Sequence, residues 1–300
     1  MITHLPHSNN HFPLLSVSSV LSVAIIILML LPGCTKKQPT EKAGPPERII
    51  SLAPNLTEIL FELGLANKVA AVSNDSDYPA TAGKKAKVGD FWQPNTEVII
   101  AQKPDLVLTL WFEQQQNGAS TLARIGVPVV TLKIETLDEL YAAITAIGHA
   151  TDTETKADAI NASIKNELNR IKQSCINKPK QKVLWVVQTE PLRIVGRGTF
   201  LNELIELAAG QNAIGPTVGK YPPIGSEEIM TCGADVIIQS AMGKTDLAIQ
   251  QNRAEKFWKE KYPSIPAVKN NRIYVIDGDT TLRLGPRLPQ GAKKIAQAIN

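Results

Sequence analysis

From Arg48 onward the chain alternates short aliphatic runs with segments of helical spacing. Residues 48–51 read as a strand. Asn55, with Glu58 three residues on, reads as the capping box of a helix that presents Leu56, Ile59, Leu60 and Leu63 on one face and stops at Gly64. Residues 69–72, 106–108 and 127–132 are aliphatic runs of strand length, and apolar helix patterns lie between them at 98–100 and 116–125. Leu140, Tyr141, Ile144 and Ile147 predict a helix from Leu137, closed by Gly148. A second helix over 153–174 carries Ala157, Ile160, Ile164, Leu168 and Ile171 on one stripe. It spans about 33 Å, the diameter of a small domain. Strands at 183–188, 236–238 and 272–276 then alternate with helices at 201–208, 227–232, 248–261 and 291–299. Strands alternating with helices predict an α/β fold built on open parallel sheets.

The two halves echo each other. Glu97 opens a helix whose following strand begins after Asp105, eight residues on, and Glu227 and Asp235 repeat that spacing. The simplest architecture is two Rossmann-like lobes joined by a single long helix, with a ligand cleft between the lobes. The expected boundaries are a first lobe over 48–135, connecting helices over 136–176 and a second lobe over 177–300.

The N-terminal segment differs in kind. Its first 33 residues contain no Lys, Arg, Asp or Glu. The apolar run 17–31 is short for a membrane span and suits the core of a secretory signal over 1–33. It ends in Leu31-Pro32-Gly33-Cys34, which resembles a bacterial lipobox whose Cys becomes the lipidated first residue of the mature chain. An uncleaved short anchor is the alternative. Residues 34–47 are polar and Pro-rich and read as a flexible tether. Either way the remaining chain is expected outside the cytoplasm, on the periplasmic side in a Gram-negative cell, held to the membrane through Cys34.

Composition narrows the chemistry. A net charge of +4 with interspersed signs suggests no nucleic-acid surface. No Gly-rich nucleotide loop and no nucleophile elbow is present. His149 is the single His after the signal and sits at a helix end, where a cation is favoured. Cys175 and Cys232 either pair or remain buried thiols.

Aromatics stand out on the loops of a chain that is only 5% aromatic. Tyr78 ends Asp75–Tyr78, Phe91-Trp92 precede Glu97, Trp111-Phe112 follow a strand, and Tyr221 lies six residues before Glu227 as Phe91 does before Glu97. Such loops suit a large, flat, partly apolar ligand. Two acids at equivalent points of two similar lobes also suit a two-fold partner.

The segments IISLAPNLTEILFELG, DYP, VGDFWQPNTEVI and KPDLVL resemble the substrate-binding proteins of ABC importers that carry cobalamin, siderophores and haem, and most closely their cobalamin branch. The resemblance runs from Arg48 to about Asn300. It implies two rigid lobes flanking a long helix, and a cleft lined by Pro54, Asp75, Tyr78, Phe91, Trp92, Trp111, Tyr221 and Asp279. It also implies that Glu97 and Glu227 dock on arginines of the permease dimer. Asp75 and Phe91 depart from the branch, which holds aromatics, a Trp in the second case, at those positions. The expected function is a monomeric, non-catalytic receptor that captures a corrinoid and delivers it to an ABC permease, with the metal arriving inside the ligand and no cofactor or protein metal site. A ferric-siderophore or haem receptor is the alternative, with Arg193, Arg197 and Arg283 available to a siderophore. An enzyme using Asp75, Asp77 and Asp279 between the lobes is a more remote one.

Overall fold

The computed structural model describes residues 44–241, 243 and 245–300, with the side chains of 113–116 left aside. The expectations for residues 1–43, including the signal and Cys34, lie outside the described residues. Pro45–Asn300 form one unit. Among the described residues no helix is long and apolar enough to cross a membrane.

The first sheet is built from β1 (Ile49–Ser51), β2 (Val69–Val72), β3 (Ala86–Lys87), β4 (Leu106–Leu110) and β5 (Val129–Leu132), in the order β3-β2-β1-β4-β5. All of its pairings are parallel. Its helices are α1 (Pro54–Glu62), α2 (Thr96–Ala101) and α3 (Glu113–Arg124). β1 and β4 are buried throughout and mostly aliphatic because both faces of a parallel sheet are covered.

The chain then crosses through α4 (Leu137–Ala150) and the 22-residue α5 (Glu154–Cys175). Gly148, expected as a helix stop, lies inside α4. A Cβ placed on it would come within 2.5 Å of the Ala157 Cβ. Its role is to let α4 and α5 approach closely, and the turn comes three residues later. The second sheet follows, with β6 (Gln181–Thr189), β7 (Leu192–Ile194), β8 (Gly210–Asn212), β9 (Val236–Ala241) and β10 (Ile273–Asp277). Its order is β10-β9-β6-β7, and β8 also pairs with β6. Only the β6–β7 pairing is antiparallel. Helices α6 (Phe200–Leu207), α7 (Ser226–Thr231), α8 (Leu247–Lys261), α9 (Pro266–Lys269), α10 (Gly278–Thr281) and α11 (Leu288–Ile299) complete the chain.

The echo between the halves has a structural cause. Asp105 accepts the amide of Arg48 at 2.8 Å and returns its own amide to the Arg48 carbonyl. Asp235 does the same to Lys182 at 2.8 Å. Each Asp thus closes the entry of a central strand pair, β1–β4 in one sheet and β6–β9 in the other. Glu47, which sequence places in the tether, is held by Asp105 Oδ2 and by an ion pair to Lys68.

The capping box expected at Asn55 and Glu58 is not formed. The N-cap is Ala53, without a side-chain bond, and Pro54 opens the helix. Asn55 Nδ2 instead donates to the Leu284 carbonyl, and Glu58 is buried against the second half of the chain. Cys175 and Cys232 are both free. Cys175 neighbours Ser174 and Asn300, while Cys232 donates to the Ile229 carbonyl.

Candidate functional site: an aromatic-walled cleft

The carboxyl ends of the two sheets face a cleft of about 680 Å³. Most of the residues that line it sit just past the end of a strand: Pro54 after β1, Asp75 and Asp77 after β2, Phe91 and Trp92 after β3, Phe112 after β4, and Gly278 and Asp279 after β10. Open parallel sheets place ligand sites at those ends because the strand–helix loops converge there. Tyr221 and Phe200 close the cleft from the second half.

The aromatic wall is built locally. Between β3 and α2 the chain turns back so that Asn95 donates its amide to the Val88 carbonyl at 2.8 Å and Gly89 bridges Pro94. Gly89 has φ +104°, and a Cβ there would stand 2.8 Å from the Asn95 nitrogen, so this closure requires glycine. Asn95 then caps α2 through Val98. The tip of this loop carries Phe91 and Trp92. Phe91 meets Trp92 edge-on at 4.7 Å and Phe112 at 5.2 Å, and Trp92 lies 5.5 Å from Phe112. The base of the wall is half-buried, whereas Trp92 is 60% exposed.

Six of the eight expected cleft residues meet here: Pro54, Asp75, Phe91, Trp92, Tyr221 and Asp279. Two do not. Side chains alternate along an extended segment, so Leu110 and Phe112 turn into the cleft and Trp111 between them turns out, 56% exposed. Tyr78 lies under the Arg287 guanidinium, 3.9 Å from ring centroid to carbon. Phe112 was available to the same reading, since the strand's alternation sets it opposite Trp111. Phe200 and Leu282 carried no such signal. Arg193 donates to the Tyr221 carbonyl and, like Arg197, is not part of the lining.

The polar end is an ion-pair ladder across the two halves. Arg283 contacts Asp77 at 2.7 Å and Asp279 at 3.0 Å, with Glu58 behind it at 3.7 Å. Arg287 grips Glu58 with two nitrogens. Partial burial pushes the Asp77 carboxyl upward, but the hydrogen bond and charge of Arg283 outweigh it and hold the group below its ordinary value. At the other wall Lys220 pairs with Glu135 at 2.6 Å, immediately before Tyr221. Burial first, and the Glu135 charge second, push the Tyr221 phenol above its ordinary value.

A family model described as a periplasmic binding protein matches residues 49–280. The chain belongs to that family. It is 32% identical over 261 residues to an uncharacterized ABC transporter substrate-binding lipoprotein of Bacillus subtilis, covering 85% of this chain and 80% of that one. It is 28% identical over 243 residues to a vitamin B12-binding protein of Vibrio parahaemolyticus, covering 81% and 86%. The crystal structure of a possible iron-binding (periplasmic solute-binding) protein from Staphylococcus epidermidis superposes with a TM-score of 0.75 at 31% identity, over 85% of this chain and 99% of that one.

As a periplasmic binding protein of this kind, the chain is the substrate-binding component of an ABC importer. It takes a small-molecule ligand, works with an ABC permease and belongs to an extracytoplasmic family. Glu97 and Glu227, the expected docking acids, are exposed in the first turns of α2 and α7. There the helix dipole favours a carboxylate whether or not a partner is bound.

Proposed function

We propose that this binding protein captures a corrinoid of the cobalamin class and delivers it to its permease without catalysing a reaction. The observation that carries the reading is the Phe91–Trp92–Phe112 wall facing Tyr221 and Phe200 across a cleft of about 680 Å³. That cleft suits the flat, partly apolar faces of a macrocycle, and its polar end suits a rim of amides. The 28% identity to a vitamin B12-binding protein supports the same ligand. A corrinoid brings its own metal, so no protein ligand to it is needed. Calorimetric titration with cyanocobalamin is the test: one-to-one binding is expected, and no heat at high micromolar concentration would sink the corrinoid assignment.

The similarity to a possible iron-binding protein favours haem or a ferric siderophore as the second reading. Tyr221 is the tyrosine of the lining, but its raised phenol disfavours the phenolate that a ferric centre wants. A Soret shift on adding haem, with no response to cyanocobalamin, would establish the second reading.

In this proposal residues 48–135 and 177–300 act as two lobes joined by 136–176, and Glu97 and Glu227 engage a two-fold permease. Cys34 carries the lipid anchor after removal of residues 1–33, which matches the lipoprotein character of the Bacillus subtilis relative. Detergent-phase partitioning of the native chain, lost in Cys34→Ser, is the expected result.

A further inference from the structure

Four of the described residues lining the cleft are charged: Asp75, Asp77, Asp279 and Arg283. Three acids less one base leaves a charge of −2. The single cation is already occupied, because Arg283 divides its two terminal nitrogens between Asp77 and Asp279. Behind it, Glu58 and Arg287 cancel. The charge of Lys87 is felt by Asp77 and Asp75, but its ammonium is turned to the carbonyls of Ser73 and Ser76 and lies outside the lining. Counting it as well still leaves −1. Asp75 is exposed to the cleft, and its carboxylate makes no hydrogen bond or ion pair among the described residues.

The rest of the lining is largely aromatic and aliphatic, so little water is left around a seated ligand to screen that charge. A carboxylate on the ligand rim would lose hydration and meet a second carboxylate, whereas an amide N–H or a cationic group would supply the hydrogen Asp75 lacks. Resting on the macrocycle reading above, we propose that Asp75 makes the cleft charge-selective. It admits flat metal macrocycles with an amide or cationic rim and rejects those whose rim carries carboxylates. Haem, with its propionates, falls in the rejected class.

Two pairs of probes test this on the full chain. The first is cyanocobalamin against its monocarboxylates, in which one peripheral amide has been hydrolysed. At least one monocarboxylate is expected to bind about tenfold more weakly. Asp75→Asn should close that gap: whatever the change in cyanocobalamin affinity itself, the ratio of cyanocobalamin to monocarboxylate affinity should fall towards one, while the side chain keeps its size. Equal affinities for all of these corrinoids, or a gap unchanged in Asp75→Asn, overturns the proposal and leaves the corrinoid assignment standing. If the chain binds none of them, the corrinoid assignment fails, and the charge rule is read on a porphyrin pair. A tetracationic N-methylpyridyl porphyrin binding more tightly than its tetrasulfonated counterpart, with the preference reduced in Asp75→Asn, supports the rule. No preference, or an anionic one, overturns it.

Discussion

Glu58 and Arg287 stand 229 residues apart and form a two-pronged ion pair between α1 and the start of α11. Glu58 is only 4% exposed, so its charge is out of water and depends on that guanidinium. The pair fastens the two halves just behind the polar end of the cleft, and Arg283 and Tyr78 pack on either side of it.

Removing one partner of a buried pair strands the other charge, at a cost of about 3–5 kcal/mol. Glu58→Ala is therefore expected to lower the urea midpoint strongly. Glu58→Gln together with Arg287→Met should recover much of that loss. A double mutant that loses the sum of the two singles would show that the residues act independently.

Trp92 is different, because it is exposed and contributes little to the fold. Trp92→Ala is expected to leave the melting temperature unchanged and to weaken the bound macrocycle by about 1–2 kcal/mol, or about 5- to 30-fold. Calorimetry measures both together with a thermal scan. Trp111→Ala, one strand position from Phe112 but outside the cleft, is the matched control and should bind normally.

Acid stability should carry the signature of Asp77. Its carboxyl lies lower in the folded protein than in the unfolded chain, so the unfolded state binds protons first as pH falls. Its contribution is whole above the ordinary carboxylate value, roughly pH 4, and is lost as pH falls through the lower folded value. The group is half-exposed and screened by water, so the effect is modest. Melting temperature against pH should fall less steeply below roughly pH 4 in Asp77→Asn than in the native chain.

For delivery, Glu97→Ala combined with Glu227→Ala is expected to reduce uptake in cells by about tenfold or more. Ligand affinity in solution should be unchanged, because neither residue lines the cleft. Loss of affinity in this double variant would place the acids in ligand capture and remove the docking proposal.

Alternating aliphatic and helical spacing determined most of the fold, because the parallel strands are buried on both faces and leave unbroken apolar runs such as Leu106–Leu108. The repeated Glu-to-Asp spacing was equally legible, since Asp105 and Asp235 close equivalent strand entries through their own chain's amides. The aromatics Phe91 and Trp92 could be read for the same reason, because the loop that presents them is shaped locally; its closing Gly89 and the Asn95 cap came only from the structure. Short edge strands could not. Gly210–Asn212 carries no apolar run and becomes a strand only because β6 offers it a partner. Nor could the choice of face at the end of β4: alternation sets Phe112 opposite Trp111, but only the structure shows that Phe112 is the one turned into the cleft. Tertiary structure alone decided that Glu58 serves an ion pair rather than a cap, and that Gly148 admits a neighbouring helix rather than ending its own. In both cases the deciding atoms belong to another element, and local spacing carries no information about which element that is.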